Sequence, residues 1–231
     1  MRYIFFYSLL LIACSSSFAQ NDTVKDIDGN VYRTIKIGSQ VWMAENLKTA
    51  HYRDGTPIKE IEIKSKWANA FQVKAGAWCY YHNDSMNNIP YCKLYNWYAV
   101  ANTHHLCPTG WHVPADSEWT VLTDYLGGNQ VAGDKMKDTT LWMASNTGAD
   151  NSSGFTVLPA GYCGRGGVFN DLGYGAYFWS SAEDSSKFAW FCIFSYKAPY
   201  VLRTSDYKEN GLSVRCVGDW FIMPFTFPPS Y

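Results

Sequence analysis

The chain has 231 residues, with 19 basic and 20 acidic side chains, and 17% of it is Phe, Trp or Tyr. So sparse a charge with so many aromatics excludes a disordered chain. The absence of any basic stripe argues against nucleic acid as a partner.

The first residues bear on the compartment. Met1-Arg2-Tyr3 precedes an apolar run from Ile4 to Ala13, followed by Cys14 and three serines. That is the order of a secretory signal, and the run is shorter than the roughly 20 residues a bilayer span needs. Two cleavage readings stay open. Ser17-Phe18-Ala19 has small residues at the −3 and −1 positions, so residues 1–19 are expected to leave, with Gln20 as the new terminus. Leu11-Ile12-Ala13-Cys14 is the alternative, a lipobox that would make Cys14 a lipidated anchor. Loss of residues 1–19 removes one base, Arg2, and leaves a net charge of −2. A domain over residues 20–219 and an apolar, proline-bearing tail over 220–231 are expected. No later segment is long and apolar enough to span a membrane.

In chain order, a hairpin comes first. Val31–Ile37 alternates, Gly38-Ser39 turns the chain, and Gln40–Ala44 returns. Residues 45–75 read as loop. Ala77–Tyr81 reads as a strand and His82–Pro90 as a polar loop. Leu94–Ala101 places Leu94, Trp97, Tyr98 and Ala101 on one helical face. Asp116–Leu126 is the clearest helix, with Asp116 as cap, an apolar stripe of Trp119, Leu122 and Leu126, and Gly127-Gly128 as its stop. A second short helix is expected over Val131–Lys137. From Gly154 the period becomes two, and short strands are expected at Phe155–Leu158, Tyr177–Ser181, Phe188–Ser195, Tyr200–Thr204 and Leu212–Val217. A long glycine-rich loop, Gly161–Gly175, lies among them. A hairpin, then helices, then short antiparallel strands is an α+β pattern.

Six cysteines remain after the signal: Cys79, Cys92, Cys107, Cys163, Cys192 and Cys216. An even number in an exported chain reads as disulfides, and their connectivity is open on the residues alone. Zinc spacing is absent, and no metal site is expected there. Trp42, Trp111, Trp119 and Trp179 are flanked by apolar residues and read as core. Tyr162, Phe169, Tyr174, Tyr177 and Phe178 are interleaved with Gly, Asn and Asp. They read either as a binding platform for sugar faces or protein or as a loop packed on itself. His112 near Asp116 and Glu118 is the one cluster that tempts a hydrolytic reading; hydrogen bonding of His112 to backbone is the simpler one. Arg215, in the last strand, is expected to be buried against a carboxylate or backbone carbonyls.

Several segments in order carry a resemblance. They include Ile37-Gly38-Ser39-Gln40-Val41-Trp42-Met43-Ala44-Glu45-Asn46-Leu47, Leu94-Tyr95-Asn96-Trp97, Cys107-Pro108-Thr109-Gly110-Trp111-His112-Val113-Pro114, Leu158-Pro159-Ala160-Gly161-Tyr162, Trp179-Ser180-Ser181 and Gly211-Leu212-Ser213-Val214-Arg215-Cys216-Val217. The chain resembles the Fibrobacter succinogenes major paralogous domain, found mostly in exported proteins of Fibrobacteres and Bacteroidetes, over about residues 26–219. The pattern is also similar to the C-type lectin-like fold shared by the formylglycine-generating enzymes. That resemblance implies a Cys107–Cys216 staple, a local Cys79–Cys92 closure and a Cys163–Cys192 tie. It also raises calcium, for which Asp150, Asn151, Asn170 and Asp171 offer oxygens, although these are more simply turn formers. No cofactor is expected otherwise.

The resulting expectation is an extracytoplasmic interaction module, secreted or at the cell surface. It would bind a glycan or a surface protein through loops around residues 162–178 and 196–210. It would touch a membrane only through a lipid on Cys14. The alternatives are a structural surface protein without a ligand and a relative of the formylglycine-generating enzymes. No catalytic set is expected.

Overall fold

The computed structural model describes residues 22–62, 67, 74–144, 146 and 148–219. The signal, the Cys14 lipobox and the 220–231 tail lie outside the described residues. No helix among those described is long and apolar enough to cross a membrane.

The architecture is α+β. Strand β1 (Thr23–Lys25) joins the hairpin of β2 (Val31–Ile37) and β3 (Gln40–Met43). The register Ile37↔Gln40 leaves Gly38-Ser39 as a two-residue turn. Gly38 has φ 61°, and a Cβ there would lie 2.8 Å from the Tyr125 ring, so the turn needs glycine twice over. The same sheet takes in β7 (Trp111–His112) and the last strand β13 (Val217–Gly218), in the order β1-β2-β3-β13-β7. The small sheet β4-β5-β6 is Lys59–Glu60, Ala77–Cys79 and Leu94–Tyr95.

Helix α1 covers only Trp97–Val100, shorter than the Leu94–Ala101 pattern. The Asn96 side chain decides this. It accepts from the Ala99 and Ala77 amides at 3.0 and 2.9 Å, and Tyr95 is committed to backbone pairing with Leu212. Helix α2 is Asp116–Tyr125, one residue short of the expected span. Ala115 holds the cap position instead of Asp116. The Glu118 carboxylate accepts its amide at 2.8 Å. Helix α3 is Asn129–Met136.

The second large sheet runs β12-β11-β10-β8-β9. Its strands are β8 (Ala160–Cys163), β9 (Phe169–Leu172), β10 (Gly175–Glu183), β11 (Phe188–Ser195) and β12 (Val201–Tyr207). Pairing is antiparallel except between β8 and β10. The expected loop Gly161–Gly175 is therefore mostly a hairpin. The expected strand Phe155–Leu158 is irregular, with a single bridge from Val157 to Lys137. Leu212–Val217 is extended but bridges two different sheets in turn, so only its end is a strand.

Alternation along β10 divides the core. Phe178 and Phe194 face α2 with Trp42, Trp119, Leu122 and Phe155. Trp179 and Phe191 face the other way, into a cluster with Tyr32, Leu47, Tyr95, Trp97 and the Cys107–Cys216 bridge. Trp42, Trp119 and Trp179 are fully buried, as expected, whereas Trp111 is half-buried at the edge.

Cys107 and Cys216 form a disulfide with Cα atoms 6.1 Å apart, closing 109 residues of chain. The other two implied bonds are absent. Cys79, Cys92, Cys163 and Cys192 are buried thiols. Cys192 lies in the α2-side core, while Cys79 and Cys163 meet in a third cluster with Ile61, Trp67 and Leu94. Cys92 lies beside Asn46 and Arg215. The members of both implied pairs thus lie in different compartments. Burial, and a hydrogen bond with Cys163, push the Cys79 thiol well above its usual pKa, and burial also raises Cys192 and Cys92, the latter to about 11. Such thiols are poor nucleophiles at neutral pH.

Non-reducing peptide mapping is expected to link Cys107 to Cys216 and to yield neither a Cys79–Cys92 nor a Cys163–Cys192 peptide. Replacing both bridge residues by alanine should cost about 2–5 kcal/mol of stability, read from denaturant unfolding.

Candidate functional site

The sheet face that carries Trp179 and Phe191 continues past the core into an open groove of about 320 Å3. Tyr162 from β8 and Tyr177 from β10 form one side, with Phe191 and Ile193 from β11 as floor and Thr204 and Asp206 from β12 opposite. Strand register puts them there: Tyr177 faces Ile193, and Phe191 faces Thr204. The Tyr162 and Tyr177 rings are 4.7 Å apart and tilted at 58°. Gly175 makes room for this, because a Cβ there would lie 2.8 Å from the Tyr177 ring.

Both tyrosines are half-buried and stay protonated. Burial raises the pKa of each. Tyr177 is raised further by donating to Asp171 Oδ2 at 2.5 Å, and Tyr162 by the Asp171 and Asp206 charges. They offer ring faces and neutral hydroxyls. The rim is polar. Asn210 accepts from the Arg165 amide at 2.9 Å, and the Arg165 guanidinium lies 4.1 Å from the Tyr207 ring centroid. A groove floored by apolar groups with a few fixed polar groups has the make-up of a ligand site.

Of the five aromatics expected at a binding face, the structure brings together Tyr162 and Tyr177. Phe169 packs on Tyr81 and His82, at 5.2 and 5.3 Å, below the third cluster. Tyr174 is exposed and meets Tyr196 edge-on at 5.2 Å. Phe178 is fully buried between Phe194 and Trp119 and is core. The adjacent Tyr177 and Phe178 could not share a face in one strand. Phe191 and Ile193 lie outside the stretches that the sequence marks as binding loops, and Thr204, Asp206 and Asn210 fall inside the 196–210 stretch without being singled out. Only sheet register brings them together, and the 196–210 segment that carries three of them is largely strand.

Of the residues considered for calcium, Asp150 and Asn151 serve local turns and Asp171 serves the Tyr177 hydroxyl. Asp150 accepts from the Ser152 amide at 2.8 Å and Asn151 from the Thr156 amide at 2.9 Å, while Asp171 takes the Tyr177 hydroxyl. Among the described residues, no group of three His, Cys, Asp or Glu gathers to hold a metal.

His112 binds carboxylates, not backbone. Its Nε2 meets both Glu118 oxygens at 2.9 Å, and its Nδ1 meets Asp219 at 2.5 Å. Asp116 turns away, 3.5 Å from Arg203. Both ring nitrogens are occupied, so the imidazole staples β7 to α2 and to the chain after β13. Its pKa is raised above 6.5, chiefly by the bond to Glu118; burial opposes the rise, and the bond to Asp219 and the two carboxylate charges add to it. A raised folded-state pKa stabilises fully below the unfolded value, and the gain is lost as pH rises through the folded value. The melting temperature should therefore fall as pH rises above about 6.5. That slope should flatten in His112→Gln; an unchanged slope would refute the staple.

The Fibrobacter succinogenes major domain matches residues 35–218 of the chain. No curated protein and no solved structure matches it. The matched span begins late in β2 and ends with β13; it leaves out β1 and takes in the rest of the first large sheet, the whole of the second, the disulfide and the groove. By that match the chain belongs to the Fibrobacter succinogenes major domain family.

Proposed function

We propose that the protein is an exported interaction module of C-type lectin-like architecture that binds a glycan in the Tyr162–Tyr177 groove. The observation that carries this reading is the tyrosine pair itself. Two neutral, half-exposed rings sit over an apolar floor, opposite Thr204 and Asp206. A sugar ring presents an apolar C–H face and equatorial hydroxyls, and this groove offers a counterpart to each.

Export fits the chemistry of the domain. A buried disulfide closing so long a loop belongs to an oxidising compartment, in keeping with a signal cut before Gln20 or a lipid on Cys14. Binding is favoured over catalysis. Among the described residues, the only imidazole set between two acids is used as a staple. The one facing thiol pair, Cys79 and Cys163, is 1% exposed beside a cleft of only about 10 Å3, too small for a substrate of the formylglycine-generating kind. A shallower cleft by Trp190, Tyr200 and Leu202 lacks a stacked ring pair and is the weaker place for a sugar.

The test is a glycan array with the secreted chain, followed by titration of any hit. Tyr162→Ala with Tyr177→Ala should weaken binding about tenfold, the size of one or two lost aromatic contacts. Tyr174→Ala should leave it unchanged. Binding that survives loss of both rings would place the ligand elsewhere, and no binding to any glycan would favour a purely structural surface protein.

A further inference from the structure

Arg215 is 1% exposed and no carboxylate pairs with it among the described residues. Its guanidinium donates to the carbonyls of Phe155 and Thr156 and, at 2.5 Å, to Asn46 Oδ1. It lies against the ring faces of Phe155 and Phe178, at 4.4 and 5.2 Å. These contacts solvate the charge only in part. Nε is buried and has no hydrogen-bond partner. A buried cation short of one donor's partner is costly, and proteins ordinarily supply an anion.

The place for that anion exists. Arg215 lines a cavity of about 280 Å3, together with Arg33, Lys48, Glu45 and Asn46. Three cations against one carboxylate leave the lining with an excess of positive charge. Glu45 is already engaged: its two oxygens take the Arg33 side chain and amide at 2.7 and 2.8 Å. The terminal nitrogens of Arg33 and the Lys48 ammonium make no hydrogen bond among the described residues. Lys48 lies only loosely over the Tyr32 ring, at 5.3 Å. Burial lowers the Arg215 pKa to about 9, so the group keeps its charge at neutral pH.

We propose that this cavity binds a tetrahedral oxyanion, a phosphate or sulfate group, on Arg215, Arg33 and Lys48. The donors come from three residues in different parts of the fold rather than from one planar fork. That arrangement suits oxygens spread over a tetrahedron better than a flat carboxylate. The excess of positive charge also favours a dianion. The site is separate from the tyrosine groove and does not depend on it.

The probes are inorganic phosphate and sulfate, added to the intact secreted chain at constant ionic strength set with sodium chloride. Each should raise the melting temperature along a saturable curve at low millimolar concentration, as a ligand of the folded state does. General salting-out by sulfate would rise without saturating. Arg33→Gln with Lys48→Gln should weaken phosphate about tenfold or more while leaving the melting temperature in chloride nearly unchanged. Arg215→Gln risks unfolding, so the two rim residues carry the test. Tyr162→Ala with Tyr177→Ala should not alter the phosphate response, which keeps the outcome apart from that of the glycan reading. Phenyl phosphate or N-acetylglucosamine 6-sulfate in place of the free ions separates an ester ligand from an inorganic one. An equal response to chloride, a saturable response to acetate alone, or full phosphate affinity in the rim variant would overturn the proposal.

Discussion

The fold depends on one extended segment, Leu212–Gly218, that belongs to no single sheet along most of its length. Leu212 exchanges backbone bonds with Tyr95 of the small sheet at 2.8 and 2.9 Å. Ser213 does the same with Tyr177 and Trp179 of β10, at 3.0 and 3.1 Å. Val214 and Cys216 accept from Leu47 and Met43 at 2.8 and 3.1 Å. Val217 then pairs with both Trp42 and His112. In seven residues the chain touches all three sheets, and the disulfide from Cys107 fixes its end. Nearly every partner is far away in sequence, so docking this segment carries the loop entropy of all these closures at once. A cross-link between Cys107 and Cys216, 109 residues apart, lowers part of that cost in advance.

The same segment explains why Arg215 is buried. Its neighbours Val214 and Cys216 face the large core, and alternation sends Arg215 to the opposite side, under Phe155 and Asn46. An aliphatic residue could fill that space without a desolvation penalty. A guanidinium there ties the irregular 155–156 stretch, which lacks strand pairing of its own, to the Asn46 turn. Asn46 in turn donates to Ser213 Oγ at 3.3 Å, so the network closes on the segment that carries the arginine. Those bonds account for the terminal nitrogens but not for Nε, and that remainder separates a structural arginine from one with a donor to spare.

Local signals made part of this legible. The first hairpin, helix α2 and strand β11 follow from a Gly-Ser turn, an apolar stripe and strict alternation, all contained in short windows. The Cys107–Cys216 bond was carried by family motifs, and the other two implied bonds failed because spacing says nothing about which compartment a thiol enters. The β8–β9 hairpin was illegible because Gly161–Gly175 offers little side-chain pattern. It is held instead by the parallel contact of Gly161 with Ala176 and by Tyr162 resting on Tyr177. Helix α1 was overestimated because Asn96, read as one more helical residue, spends its side chain on capping.

The candidate groove shows the same division more sharply. Composition marked residues 162–178 as aromatic and glycine-rich, and that was enough to find Tyr162 and Tyr177. It was not enough to separate them from Phe178, since one residue of register decides between solvent and core. The opposite wall needed more still. Thr204 and Asp206 join the tyrosines only because β12 pairs with β11 in the register that sets Thr204 across from Phe191. A one-residue slip of β12 would turn both toward α2 and bring Arg203 round to the groove side. The polar wall of the groove is thus a product of sheet register, and its chemistry is set by the strand whose sequence says least about it.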